Sequence, residues 1–314
     1  MKKFIIFFCL CLLGGCKDQK IFIIPFTNSQ IVLNAVLKAN EIPEVYVGKT
    51  WAATGTFPEI TYLDNATVKL FEEEVYIGTF THTAKGIYKL ASYKLKAGKK
   101  YVLRAEVAGL NPAENTPVKI PNALPLQNLF IDKTTTVSSL NQSAKPVLLK
   151  VALRNDVTLE AQYGIVVETY KTNYPVSSVI SPLETSISLS SGVNENCIKR
   201  SALFGNFDFQ PLIYKSSLFI YNTDCFINSS KEMNIVVETI GYIQKTNDYS
   251  QQPADEIRVQ LFGLSDEYYE YTSRNKFFEG LDYAFNEPTP TYTNVKGGYG
   301  VVVALNRAYR VVRL

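Results

Sequence analysis

The chain has 314 residues, of which 46% are hydrophobic and 19% are charged, and its formal net charge is +3. This composition is typical of an ordered globular protein. The chain is long enough for two domains, each with its own core. The near-neutral charge argues against a dedicated nucleic-acid binder, because such a protein needs a strongly basic face.

The first element in chain order is a secretion signal. Lys2 and Lys3 form a short basic segment, and the apolar run over residues 4–13 follows. This run is too short for a membrane span, which needs roughly 20 apolar residues. The pattern therefore indicates a cleaved signal, whose removal lowers the net charge from +3 to +1 because both lysines are lost.

The apolar run ends in Leu13-Gly14-Gly15-Cys16, which resembles the bacterial lipobox. Small residues give the signal peptidase access to the backbone, and the cysteine thiolate can accept a diacylglyceryl group as a thioether. Two or more acyl chains anchor a protein stably to a bilayer. We predict a lipoprotein signal peptide over 1–15 and a lipid-anchored tether over 16–20, with Cys16 as the lipidated residue. A plain signal peptide with a chance cysteine is the alternative.

Cysteine use in the mature chain agrees with export. Cys9 and Cys11 lie in the signal, so only Cys197 and Cys225 remain besides the lipidated residue. Two thiols in an oxidising compartment predict one disulfide. Closing a loop of about 28 residues would contribute roughly 3 kcal/mol. Two unrelated buried thiols are the alternative.

Strand patterns dominate the first part of the mature chain. Apolar and polar residues alternate with period two, and turn-forming residues such as Lys85-Gly86 separate the runs. Three prolines between Pro117 and Pro125 interrupt any regular strand. We predict a β-sandwich domain over 21–120. Its strand-like runs are 31–38, 66–80, 86–93 and 100–107.

A second set of strands and one helix follow. The helix is predicted over Ser265 to Phe278, with Ser265 as the N-cap and acidic residues in the first turn. The predicted fold class is therefore all-β, with two Ig-like β-sandwich domains and one short helix in the second domain, over 126–314. The strand-like runs of this domain are 146–154, 163–170, 216–223, 232–240, 256–264 and 299–312.

The predicted helix carries the candidate binding residues Tyr268, Tyr269 and Tyr271. Tyrosine combines apolar area with a hydrogen-bonding tip, which suits contacts with carbohydrate or protein. Residues three apart share one face of a helix, so Tyr268 and Tyr271 could instead pack onto the sheet. Core packing is the favoured interpretation.

Motifs for catalysis or metal binding are not evident in the sequence. His82 is the single histidine and no nucleophile elbow accompanies it, which favours a strand or loop histidine. Glu72-Glu73-Glu74 is the densest acidic run and indicates a solvated hairpin edge. The spacing around Asn222-Thr223-Asp224 matches no EF-hand loop. We predict no catalytic residues, no metal, no cofactor and no enzymatic activity.

Five segments carry a resemblance to a known family. Their order along the chain is similar to that of the Bacteroidota envelope lipoproteins grouped as domain-of-unknown-function family 4249, over nearly the whole mature chain. One departure is Arg154-Asn155-Asp156-Val157, where a more acidic turn with glycine is expected. The five segments are Asn65–Val68, Gly86–Tyr88, Ala97–Tyr101, Leu261–Tyr271 and Asn294–Gly300.

The resemblance implies a function in the envelope, because such proteins are typically encoded beside TonB-dependent transporters of the outer membrane. We expect an outer-membrane lipoprotein that assists such a transporter in substrate capture or uptake, on the cell surface rather than on the periplasmic face. Lys17 to Lys20 form a tether of at most roughly 15 Å, which would hold the first domain close to the bilayer. A fimbrial or adhesin subunit and a surface glycan or peptide hydrolase are the alternatives.

Overall fold

The structure is a computed structural model. The predicted signal peptide, the lipidated Cys16 and the pair Cys197 and Cys225 lie outside its described residues and stay predictions. The structure describes residues 28–52, 58, 61–122, 126–132, 146–153, 162–171, 181–183, 187–191, 199–201, 218–221, 232–238, 240–245, 248–274 and 292–314.

The described residues up to 122 form nine strands. They are β1 (Ile31–Lys38), β2 (Glu44–Lys49), β3 (Thr67–Glu72), β4 (Val75–Thr79), β5 (Thr81–Ala84), β6 (Ile87–Lys89), β7 (Lys100–Glu106), β8 (Ala113–Asn115) and β9 (Val118–Lys119).

The later described residues form thirteen strands and one helix. They are β10 (Leu126–Asp132), β11 (Pro146–Leu153), β12 (Gln162–Lys171), β13 (Ser181–Leu183), β14 (Ile187–Ser191), β15 (Lys199–Ser201), β16 (Leu218–Tyr221), β17 (Glu232–Glu238), β18 (Ile240–Lys245), β19 (Asp248–Pro253), β20 (Glu256–Leu264), α1 (Asp266–Arg274), β21 (Val295–Lys296) and β22 (Val302–Arg313).

One sheet of ten strands runs through both halves of the described chain. Its order is β15-β16-β12-β20-β22-β1-β2-β6-β5, with β13 paired to β12. The link is β22, which pairs in parallel with β1 and antiparallel with β20. The sheet therefore joins strands from both predicted domains. The domain boundary between residues 120 and 126 stays a prediction, but strands from before and after it are hydrogen-bonded to each other in one sheet.

Two smaller sheets cover one face of the large sheet. The six-stranded sheet covers the half that contains β1, and its order is β21-β8-β7-β3-β4 with β9 paired to β7. The four-stranded sheet covers the half that contains β12, and its order is β10-β11-β17-β14. Alternate residues of β22 show that both lie on the same face, because Val302 and Ala304 join the first core while Ala308 and Val312 border the second. The all-β, sandwich-like fold predicted from the sequence is confirmed.

The opposite face of the large sheet carries α1. Tyr268 of the helix packs in a third core with residues of β20 and β22, among them Leu264 and Val303. Ser265 caps the helix as predicted, since its Oγ accepts a hydrogen bond from the Tyr268 N–H at 3.3 Å. Within the described part of the chain, no helix is both long enough and apolar enough to cross a membrane.

Candidate functional site

A groove lies on the outer face of the large sheet, beside the N-terminal end of β1. Ile31, Leu33 and Ala35 of β1 point into the first core and are fully buried, so the residues between them point outward. The groove has a volume of about 380 Å³. The described residues that line it are Val32, Asn34, Tyr46, Gly48, Lys49, Thr50, Trp51 and Thr61.

The floor of the groove exists because Gly48 has no side chain. A Cβ at this position would lie 2.9 Å from Cε1 of Tyr46 and 3.0 Å from the carbonyl oxygen of Thr61. Gly48 and Tyr46 are two residues apart on β2 and share a face, so the tyrosine ring lies across the glycine. Glycine here therefore keeps open a space that any larger residue would occupy.

Hydrogen bonds between three chain segments hold the rim beside Trp51 in place. The Gln30 N–H donates to Thr50 Oγ1 at 2.9 Å, and the Thr50 N–H donates back to the Gln30 carbonyl at 2.9 Å. The Lys49 N–H donates to the Thr61 carbonyl at 2.8 Å. The rim is thus built from three chain segments that pair with one another, which preorganises the groove.

The other side of the floor depends on Asn34 and the last strand. Asn34 Oδ1 accepts a hydrogen bond from the Val301 N–H at 2.9 Å. Gly300 approaches β1 so closely, at a φ of 114°, that a Cβ there would overlap the carbonyl oxygen of Leu33. The glycine run before β22 therefore brings this strand against β1.

Trp51 and Tyr46 give the groove its aromatic character. Trp51 is the single tryptophan of the chain, and 42% of its surface is exposed. The Lys49 side chain projects from the other face of β2, because Lys49 pairs with Ile31, which points into the first core. A groove lined by an exposed indole and a tyrosine can pack against the apolar face of a small ligand.

Tyr268, Tyr269 and Tyr271 occupy the helix as expected. Tyr268 is only 1% exposed, and the other two are partly buried against the third core. This placement corresponds to packing onto the sheet, the interpretation that the sequence favoured. Direct contact between Tyr268 and a ligand would require α1 to move.

His82 lies in the exposed strand β5, where its Nε2 is 2.8 Å from Oδ1 of Asp64. The same carboxylate oxygen accepts a hydrogen bond from the Gly86 N–H at 2.7 Å. The His82 ring also lies 5.2 Å from the ring of Tyr88. These contacts join the β5–β6 turn to the segment before β3, which is a structural role.

Glu72, the first residue of the acidic run, is less solvated than predicted. Its carboxylate accepts hydrogen bonds from the hydroxyls of Tyr93 and Tyr101, the second at 2.7 Å, and from Lys96 at 3.3 Å. Burial acts to raise the pKa of Glu72, but these hydrogen bonds and the Lys96 charge together hold that pKa below its usual value. The carboxylate is therefore a stable anion that ties β3 to the segment before β7, while Glu73 and Glu74 are exposed.

Metal ligands are not clustered in the part of the chain that the structure describes, where no group of three or more His, Cys, Asp or Glu side chains could hold an ion. Asn222, Thr223 and Asp224 lie outside that part. The groove residues were not identified from the sequence. The available signal was the alternation of Glu44–Lys49, in which Tyr46 and Gly48 share a face just before the single tryptophan.

The family comparison covers most of the chain. Residues 19–310 match the family model described as "Domain of unknown function (DUF4249)". The chain therefore belongs to this family, as the resemblance had implied. The comparison with curated proteins gave no match.

Proposed function

We propose that the chain is an outer-membrane lipoprotein, anchored through Cys16, that acts as a non-catalytic binding partner of a TonB-dependent transporter. In this proposal it assists substrate capture or uptake at the cell surface, and the groove beside Trp51 is the part that contacts the substrate. The position of the groove relative to the anchor carries the proposal.

The chain enters the sheet next to the groove. Gln30 pairs with Thr50 on the rim, and Gln30 lies only fourteen positions after Cys16 in the sequence. At no more than about 3.6 Å per residue, that segment spans at most roughly 50 Å. A groove held within this distance of a bilayer is well placed to pass a ligand to a protein embedded in it.

Two further observations support the proposal. The lipobox-like Leu13-Gly14-Gly15-Cys16 ends just before the family match begins at residue 19. The mature chain is thus one family unit directly behind the proposed anchor. The sandwich also presents a preorganised groove on a paired sheet, which is the arrangement of a binding module.

Co-purification of the native protein tests the partnership. The tagged wild-type protein, cross-linked in cells and extracted in detergent, should isolate one TonB-dependent transporter in a fixed ratio. Cys16→Ala should block processing or release the protein from the membrane, and in either case lose that transporter. Isolation of the protein without a transporter would contradict the proposal, and detergent-resistant ladders of this chain or turnover of a polymer would favour the subunit or hydrolase alternative.

Protease treatment of intact cells tests the location. A surface protein should be digested while a periplasmic control is protected. Complete protection of this chain, with surface controls digested, would place it on the periplasmic leaflet.

The proposal includes a disulfide between Cys197 and Cys225, because these are the mature thiols left for pairing in an oxidising compartment. Thiol labelling of the denatured, unreduced protein should then find no free cysteine. Two labelled thiols in the exported protein would show that the pair does not form.

A further inference from the structure

Strand β22 extends beyond the end of one of its two neighbours in the large sheet. It pairs with β20 from Leu305 to Arg313, but its pairing with β1 ends at Leu305. In the part of the chain that the structure describes, no other strand pairs with β22 on the β1 side. Residues 307–313, which we call the open edge, are therefore paired on one side only.

Backbone hydrogen bonds show which residues of β22 face the open edge. The Ala304 carbonyl accepts from the Ser265 N–H, directly after β20, at 2.9 Å, so the even-numbered residues face β20. The Leu305 carbonyl accepts from the Ala39 N–H, directly after β1, at 3.2 Å. The register with β20 runs without a break to the end of β22, so the alternation continues. The backbone N–H and C=O groups of residues 307, 309, 311 and 313 therefore face the open edge.

The side chains along the open edge are exposed, and two of them are large and apolar. Tyr309 and Val311 lie on one face of β22 together with Arg307 and Arg313, and all four are exposed. A strand placed beside β22 would pack its own side chains against Tyr309 and Val311. The open edge thus offers backbone hydrogen bonds and apolar surface, the two kinds of contact that an added strand makes.

The charge of the open edge favours an acidic partner. Residues 305–314 include three arginines and no acidic residue. Glu256, which lies opposite Arg313 on β20, is already paired with Arg258. A second copy of this strand, paired antiparallel about Arg310, would place Arg307 opposite Arg313 and repel it. An extended segment with acidic side chains would instead gain a favourable pair at each arginine.

We propose that the open edge binds an extended, acidic segment of a partner protein, which adds to the large sheet as a further strand beside β22. This inference goes beyond the proposed function, because it assigns a protein-binding surface that is separate from the groove. The groove lies beside the N-terminal end of β1, whereas the open edge lies beyond its C-terminal end.

Hydrogen exchange of the purified mature protein, resolved by residue with NMR, tests the open edge and its ligand together. The probe is a ten-residue peptide of alternating glutamate and valine, and its counterpart has lysine in place of glutamate. In the free protein, the amides of residues 307, 309, 311 and 313 should exchange at least about tenfold faster than those of residues 308, 310 and 312. The acidic peptide should slow the first set at least about tenfold, and the lysine peptide should leave it unchanged.

Two proline substitutions at adjacent residues separate binding from folding. Val311→Pro removes an N–H that faces the open edge, a position where an edge strand tolerates proline. This variant should keep its urea unfolding midpoint nearly unchanged and bind the acidic peptide at least about tenfold more weakly. Val312→Pro is the matched control, because it removes an N–H that faces β20. It should lower the unfolding midpoint well below that of Val311→Pro.

A double substitution tests the charge without changing the backbone. Arg307→Gln combined with Arg313→Gln should weaken the acidic peptide about fivefold at low salt, and high salt should remove that difference. Lys94→Gln, at an exposed lysine outside β22, should change nothing.

Four results would overturn the inference. Slow exchange of residues 307, 309, 311 and 313 in the free protein would show that the edge is covered. Absence of binding by the acidic peptide would leave the arginines only as protection of the edge against aggregation. Binding that Val311→Pro leaves intact would place the peptide elsewhere. Protection of the edge that grows with protein concentration, without peptide, would identify a second copy as the occupant.

Discussion

Two regions of the same sheet face differ in how their outward side chains are used. On β12 and β20, neighbouring side chains satisfy one another: Arg258 stacks on the Tyr170 ring at 3.9 Å and pairs with Glu256, and Gln260 donates to Glu168 at 2.9 Å. We call these five residues the paired array. On β1 and β2, the outward residues instead surround an open groove.

The comparison shows that a sheet face can form a binding site where large side chains are absent. Long polar and aromatic side chains at consecutive outward positions close the array, because each fills the space beside the next. At the groove, Gly48 carries no side chain, and the space beside it stays open. That space is what a ligand needs.

The largest expected effect concerns the strand that supports the groove floor. Gly300→Ala should destabilise the protein by about 3 kcal/mol or more, because its Cβ overlaps the Leu33 carbonyl at a φ of 114°. Gly109→Ala is the control, since Gly109 also has a positive φ, of 80°, but nothing lies within 4 Å of its Cβ. It should cost only about 1 kcal/mol. Urea unfolding measures both, and equal losses would mean that the contact with β1 is unimportant.

Removal of Arg258 should disrupt the paired array and destabilise the protein. Arg258→Ala leaves the carboxylate of Glu256, which is only 10% exposed, without its ion pair, and we expect a loss of about 2 kcal/mol. Arg258→Lys keeps the charge but loses the planar stacking on Tyr170, so it should recover part of the loss. Thermal unfolding of the wild type and the two variants gives the order of their stabilities. A stability unchanged in Arg258→Ala would show that the array is not held by mutual pairing.

The array should also respond to alkaline pH. Burial, with the nearby charge of Glu168, raises the pKa of Tyr170 to about 12. Because the unfolded chain loses this proton at a lower pH than the folded chain, the stability that Tyr170 contributes is present below its unfolded pKa and falls as pH rises towards 12. Tyr170→Phe should reduce the fall in unfolding free energy above pH 10. Identical alkaline profiles for the two proteins would contradict burial of this hydroxyl.

The smallest effects on stability come from the exposed aromatic residues. Trp51→Ala in the groove and Tyr309→Ala beside the array remove side chains that are 42% and 41% exposed, and each should change stability by less than about 0.5 kcal/mol. Thermal unfolding of both variants measures the change. A loss well above that value in either variant would contradict the exposure of its side chain.

The strands with regular alternation could be predicted, because burial of every second residue leaves a clear pattern. The run 256–264 coincides with β20, and the N-cap at Ser265 is the one observed. The predicted run 66–80 is in fact β3 and β4 joined by Glu73 and Glu74.

This turn was not predictable from local rules. Both glutamates have a positive φ, of 48° and 71°, at positions that usually carry asparagine and glycine. Tertiary contacts hold the turn: the Glu73 N–H donates to the Lys100 carbonyl at 3.0 Å, and the Lys100 N–H donates to Glu73 Oε1 at 3.2 Å. The parallel pairing of β1 with β22 was likewise hidden, because no local pattern records a partner that lies more than 260 residues away.

The same reason explains why the groove escaped prediction. Its residues come from β1, from β2 with the two residues that follow it, and from Thr61, and only the paired sheet brings them together. Tyrosines on one predicted helix looked more like a binding site, but helical spacing also describes a packing face, and Tyr268 is buried.

A crystal structure of the mature protein would test the central claim, that Gly48 keeps a groove open beside Trp51, most directly. The account predicts an open groove with the Tyr46 ring across Gly48 and the indole of Trp51 in its lining. A groove filled by neighbouring side chains would contradict it.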